Sequence, residues 1–291
     1  MPAQFPLLHA GGPEPSGWLH SDWQPVPPVI VGILVLIAAY FIFTGSRNRT
    51  PDGKQINPVS NGQRFAFVAG ALTILVALNP PLDDWSGHFL LLAHMSQHML
   101  LIMVAMPLLL IGTPSWLISR LIAVGPIARI GYYLTRPVAA FLISNLIIVL
   151  WHMPFGYDAA LRHEPIHIAE HMTFLVAAFF LWWPILGRNP EWPSLEPLPA
   201  CLYLFLQAIP GSMVGAFLTF AGAGVYAVYP QAPRIWGISL ATDQQLAGLQ
   251  MWVLNGMIFL GWITIIFLRW AADEERRDQQ PAAKAPVTVG P

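Results

Sequence analysis

Apolar residues run through this chain in long, nearly uninterrupted blocks, without the alternation of a half-buried strand or the single stripe of a surface helix. Seven blocks stand out: roughly Pro27 to Thr44, Arg64 to Pro81, His88 to Ile111, Pro137 to Pro154, Pro165 to Leu186, Leu198 to Gly222, and Leu246 to Trp270. At about 1.5 Å of rise per residue each can cross a hydrocarbon core of about 30 Å, the second with help from its flanks. Helix breakers and charges separate them, as from Gly45 to Asn61 and from Gly187 to Pro197. Pro107, and Pro210 with Gly211, fall inside blocks and predict bends. No internal repeat is evident. The pattern predicts an all-α integral membrane protein, a bundle of seven transmembrane helices over 27–270. Residues 1–26 have neither the basic nor the apolar stretch of a signal peptide and read as a flexible extracytoplasmic arm. Residues 271–291 are charged and then Pro/Ala-rich, and read as a disordered cytoplasmic tail.

Composition sharpens this picture. Only 10% of residues are charged and 55% are hydrophobic, against roughly 25% charged in ordinary globular chains, which excludes a soluble globule. The formal charge is −1 and no basic block occurs, so nucleic acid is excluded as a partner. Cys201 is the single cysteine; neither an internal disulfide nor a paired-thiolate metal motif can form, and Cys201 itself reads as packing. Trp182 and Trp183 near one end, and Trp85 and Trp151 near the other, read as interfacial belts. Twelve of the fourteen Lys and Arg fall in the first-second, third-fourth and fifth-sixth connections and the C-terminal end; only Arg162 and Arg234 fall on the other side. Cytoplasmic loops retain positive charge, which predicts the N-terminus outside and the C-terminus in the cytoplasm.

All nine histidines then lie at or toward the outer side: His9 and His20 in the arm, His88, His94 and His98 on the third span, His152 closing the fourth, and His163, His167 and His171 opening the fifth. His94 and His98 are four apart, as are His167 and His171, so each pair shares one helical face a turn apart. Counted from His88, the first pair would sit about 9 to 15 Å along its helix, inside the apolar layer. A lone intramembrane histidine is usually an interhelical hydrogen bonder; two such pairs with His152 on one side point to a metal or cofactor site. Met95, Met99, Met103 and Met106 continue down the third span, Met153 follows His152, Met172 follows His171, and Met251 sits in the outer half of the seventh span. Most of these suit packing, but imidazole with thioether and no thiolate is also a donor set for copper, especially Cu(I). Glu170 beside His171 reads either as a hydrogen-bond partner of an imidazole or as a helix-start carboxylate. Asp83, Asp84, Asp158 and Asp243 read as an acidic outer rim.

The segments His94-Met95-Ser96-Gln97-His98-Met99-Leu100-Leu101, with Pro107 and Gly112-Thr113-Pro114 after them, resemble the third-helix signature of the CtaG-type cytochrome c oxidase assembly factors. Trp151-His152-Met153-Pro154, His167 to His171 leading into Phe180-Leu181-Trp182-Trp183-Pro184, and Asp243-Gln244-Gln245-Leu246-Ala247-Gly248 with Met251-Trp252 resemble later motifs of that family in the same order. The likeness covers roughly Trp85 to Arg269. It implies a bacterial plasma-membrane protein that assists copper delivery to a haem-copper oxidase and performs no turnover chemistry of its own. Carried across by residue, the metal candidates are His94, His98, His152, His167 and His171, with Met95, Met99, Met153 and Met251 nearby. The expected partners are the bilayer, an oxidase subunit and an extracytoplasmic copper donor.

Three rival readings use the same residues. Paired histidines on facing helices also ligate haem. Membrane di-iron oxygenases and metal hydrolases use similar histidine boxes, although carboxylates are scarce here. A scaffold for oxidase assembly would need the histidines only as interhelical hydrogen bonders.

Overall fold

The computed structural model describes residues 25–45, 48, 56–122 and 125–279. Nearly all of the expected arm, and 280–291 of the expected tail, lie outside the described residues. The described elements are helical: α1 Pro27–Thr44, α2 Asn61–Ala77, α3 Leu82–His88, α4 Leu91–Met99, α5 Met106–Gly112, α6 Ser115–Ile122, α7 Gly125–Leu134, α8 Pro137–His152, α9 Pro154–Arg162, α10 Glu164–Leu186, α11 Pro197–Phe220, α12 Leu240–Leu249 and α13 Asn255–Gln279. A π-helical segment, Leu100–Ala105, joins α4 to α5, and another, Gln250–Leu254, joins α12 to α13. Among the described residues, five helical stretches are long and apolar enough to cross a membrane; two bent pairs, α2 with α3 at 41° and α7 with α8 at 78°, raise the number to seven if each is one span. The protein is an all-α, multi-pass membrane protein.

Local chemistry sets several helix starts. Proline occupies the first turn of α1, α8, α9, α10 and α11, where its missing N–H costs no helical hydrogen bond. Ser60 and Gln63 close a reciprocal capping box on α2. Pro107 lies in the first turn of α5, after the π segment, and Pro210 sits inside an unbroken α11.

Several boundaries differ from the sequence expectation. The third span starts at Leu91, because Phe89 and Leu90 are not helical, so His88 belongs to α3. The last span starts at Leu240, which brings Asp243 inside it. At the other end α13 runs past Trp270 to Gln279. Asp273 to Gln279 is therefore helical and not a disordered tail. Ala, Glu and Arg are good helix formers, and the Arg276–Asp273 and Arg277–Glu274 pairs at i,i+3 add to their effect.

The main core gathers Ile102, Ile148, Phe174, Leu181, Trp182 and Phe259 from the third span, α8, α10 and α13. Trp182 and Trp183 are 0% and 1% exposed, so they are core residues and not an interfacial belt. Their indole N–H groups explain why they tolerate the interior: Trp182 Nε1 donates to Ile102 O at 2.7 Å and Trp183 Nε1 to Trp192 O at 3.1 Å. A second cluster, with Leu91, Met95, Tyr157, Leu218, Tyr226 and Met251, closes the end of the bundle where α4 begins and α8 finishes. We call this the histidine end. The opposite, arginine end carries Arg136 at the start of α8, Arg188 after α10, and Arg269 and Arg277 beside the start of α11.

Candidate metal centre

The site begins with the placement of α4. Its first amides have no helical acceptor, and Asp243 of α12 supplies one: Leu91 N donates to Oδ2 at 3.0 Å and Leu92 N to Oδ1 at 2.9 Å. Asp243 is fully buried, with Arg234 Nη1 3.7 Å from Oδ2, and so is not part of an acidic rim. The next residue, Gln244, pins the link that follows α11: its Oε1 accepts from Gly224 N and Val225 N, and its Nε2 donates to Leu218 O. Gln97 of α4 donates to Ala77 O and to Asp83 Oδ1, tying α4 to α2 and α3. The histidine-bearing turns of α4 are thus held from both sides.

On that frame His94 and His98 project from consecutive turns of α4, their ring centroids 4.3 Å apart. Opposite them, positions 167, 170 and 171 share one face of α10. The His98 ring lies 5.6 Å from that of His171, and the His94 ring 6.2 Å from it. Glu170 enters between the helices, with its Oε2 3.7 Å from His94 Nε2 and its Oε1 3.8 Å from His98 Nε2. His94, His98, Glu170 and His171 each offer a ligand atom within 4.8 Å of the others. All four side chains are buried, Glu170 and His94 completely.

The donor chemistry fits a transition-metal ion. The Nε2 atoms of His94, His98 and His171 and both carboxylate oxygens of Glu170 are buried without a hydrogen-bond partner. Leaving such groups unsatisfied in an apolar layer is costly, and a cation removes the cost at all of them together. Ligands at bonds of about 2.0 to 2.1 Å stand about 3.3 to 3.5 Å apart in a tetrahedron, so a modest contraction closes the set on one ion. Three imidazoles and one carboxylate bring a single negative charge, which a cation also offsets.

The remaining candidates sit around this group. The His167 ring lies 4.3 Å from His171 and 5.5 Å from His94. His152 lies 5.9 Å from His98 on the other side; its Nδ1 is 2.7 Å from Ile148 O, and its Nε2 has no hydrogen-bond partner. Met95, Met99 and Met251 line a cavity of about 40 Å³ that His98 and His152 also face. Met153 caps the end of α8 and is exposed. Glu170, read from sequence as a neighbour of the histidines, belongs to the ligand-bearing group; the signal was the shared helical face of 167, 170 and 171.

Tyrosines roof the site. Tyr157 of α9 lies 5.0 Å from the His94 ring and stacks on Tyr226 at 3.8 Å. Its hydroxyl is 2.8 Å from that of Tyr229, and Tyr226 donates to His152 O at 3.0 Å. Burial pushes the Tyr157, Tyr226 and Tyr229 phenols above their ordinary range.

Residues 38–273 match the family described as Cytochrome c oxidase caa3 assembly factor (Caa3_CtaG). Among curated proteins, the chain is 25% identical over 232 residues to Uncharacterized protein Mb0105 of Mycobacterium bovis, covering 74% of this chain and 35% of that protein. It is 23% identical over 233 residues to Uncharacterized protein ML1998 of Mycobacterium leprae, with the same two shares. The chain thus spans about a third of the length of these relatives. No solved structure matches. Bacterial relatives and several apolar spans make it a bacterial multi-pass membrane protein. The motifs that fix α4, α10 and α12 lie within the matched region, and the chain belongs to the CtaG-type cytochrome c oxidase caa3 assembly factors, a family of non-catalytic assembly proteins.

Proposed function

We propose that this protein assists assembly of a haem-copper oxidase by holding a copper ion, as cargo, at the His94, His98, Glu170 and His171 cluster. One observation carries the reading: four buried donor groups from two spans lie within 4.8 Å of one another, and their ligand atoms have no other partner. Family membership supplies the context of oxidase assembly, and a haem-copper oxidase must receive copper as well as haem iron, which is why copper is the ion proposed here. Imidazole suits copper, zinc, iron and nickel alike, so the donor set alone leaves the choice of metal to that context. The His/Met set predicted from sequence enters as neighbours: His152, His167, Met95, Met99 and Met251 surround the four donors, and exposed Met153 sits at the rim.

In this reading the N-terminus and residues 1–26 are extracytoplasmic, residues 27–270 form the transmembrane domain and the C-terminus is cytoplasmic. Arg136, Arg188, Arg269 and Arg277 at the end away from the histidines support that orientation. A copper donor and an oxidase subunit would then meet the protein at the histidine end. The protein's own residues bind and shield: three imidazoles and Glu170 offer lone pairs, His167 packs against two of the rings, and the tyrosine roof excludes water.

The test is metal analysis of the purified full chain with His94→Ala, His171→Ala and Glu170→Gln, alongside oxidase maturation in cells carrying each variant. The expected result is about one copper per chain, lost by at least tenfold in affinity in each variant, with parallel loss of active oxidase. A second reading, a metal-free scaffold for assembly, rests on family membership and predicts intact maturation in all three variants. A haem held by paired histidines announces itself as a Soret band in the same preparation.

A further inference from the structure

The cavity beyond His98 differs from the His/Glu cluster in chemistry. Its donors are the imidazoles of His98 and His152 and the thioethers of Met95, Met99 and Met251, contributed by the third span, α8 and the second π segment. The His98 ring nitrogens and His152 Nε2 are buried and without hydrogen-bond partners, as is Asn255 Oδ1, which belongs to the same lining. Asn145 and Gln207 also line it, but they are satisfied by each other at 2.6 Å. Leu181 and Phe259 supply apolar wall.

Size and charge narrow what this space can take. A volume of about 40 Å³ holds one bare ion or one water and no hydrated ion. None of the described lining residues is acidic, and the nearest carboxylate, Glu170 behind His98, carries one negative charge, which matches a monovalent ion better than a divalent one. Neutral imidazole and thioether donors favour a soft monovalent ion, which sheds its hydration readily. Glu170 faces the other side of His98, so charge sorts the two places: the carboxylate-bearing cluster suits a divalent ion and the Met-lined cavity a monovalent one.

We propose that the cavity bounded by His98, His152, Met95, Met99 and Met251 is a second metal site, selective for soft monovalent cations of the Cu(I) and Ag(I) class, sharing His98 as a wall with the His/Glu cluster. Gly211 of α11 contributes to its shape, since a Cβ there would stand 3.2 Å from Asn255 Nδ2. His98 as a neutral imidazole can serve only one ion, so the donors that belong to this cavity alone are His152 and the thioethers of Met95, Met99 and Met251.

The experiment is titration of the purified full chain in detergent with Ag(I) and, separately, Co(II), with X-ray absorption at the silver edge. The double variant Met95→Leu with Met251→Leu conserves side-chain volume and is expected to weaken Ag(I) binding at least tenfold, leaving Co(II) binding within about twofold. Glu170→Gln is expected to weaken Co(II) binding and to keep sulphur-coordinated silver. In a Cys201→Ser chain, which removes the competing thiol, sulphur with nitrogen neighbours around silver tests the site even if the double variant fails to fold. Silver bound only by nitrogen and oxygen, Ag(I) affinity unchanged by the double substitution, or no Ag(I) binding would overturn the proposal. Loss of Co(II) binding alone would sink the reading of the first cluster and leave this one intact.

Discussion

Asp243 shows how much a single side chain contributes to this architecture. It accepts from two amides of α4, a helix 151 and 152 residues away in sequence, and its partner Arg234 also donates to Phe89 O and Tyr229 O. Asp243→Ala removes the cap from the histidine helix and leaves Arg234 without its carboxylate. Loss of the cap alone is expected to destabilise by roughly 0.5 to 2 kcal/mol, and a frayed first turn should also weaken metal binding by the cluster that contains His94. Thermal unfolding of the detergent-solubilised variant, with metal titration, reads both. Much of the residue-level chemistry was legible beforehand: four-residue spacing put His94 with His98 and His167 with His171, and sidedness brought the two helices to one end. Asp243 was misread as a rim residue because a lone carboxylate before an apolar run looks solvated, and its partners lie in another span. Glu170 was legible only in part, since spacing places it on the histidine face but does not say that it meets α4.

Between the elements, close approach replaces side-chain interdigitation at one crossing. A Cβ on Gly248 would lie 2.5 Å from Thr219 Oγ1 and 2.7 Å from Gly215 O, so α12 meets α11 backbone to backbone. Gly248→Ala is expected to force the helices apart at a cost of about 1 to 3 kcal/mol, seen as a lower unfolding midpoint with no change in the His/Glu donors themselves. The third and last spans each pass through a π segment beside the cavity, and Ser96 and Gln250 hydrogen-bond across between them, with Gln250 Nε2 3.0 Å from Ser96 Oγ. Hydropathy located these spans but could not reveal the π segments. A widened turn leaves no mark on an apolar block, and at Ile102 the bond from Trp182 comes from another helix. For the same reason the helical break at Phe89 and Leu90 stayed hidden, and the depth of the histidines was counted from the wrong residue.

The whole molecule is polarised. Imidazoles, Glu170 and the tyrosine roof gather at one end, Arg136, Arg188, Arg269 and Arg277 at the other, and between them lies the main core with Leu181, Trp182, Trp183 and Phe259, each at most 1% exposed. The overall all-α, multi-pass design followed from composition and block length; the number of spans did not, because α2 and α8 are short and continue into bent neighbours. Reconstituted into vesicles in a single orientation, the protein should load Co(II) from the compartment facing the histidine end and fail to load it from the compartment facing the arginines. Equal loading from both compartments would contradict the sealed interior. Trp182 and Phe259 fill the bundle beyond the histidines. If the cluster holds a cargo as proposed, supplier and recipient would share one doorway, one after the other, and the order of their visits would decide which way the cargo travels.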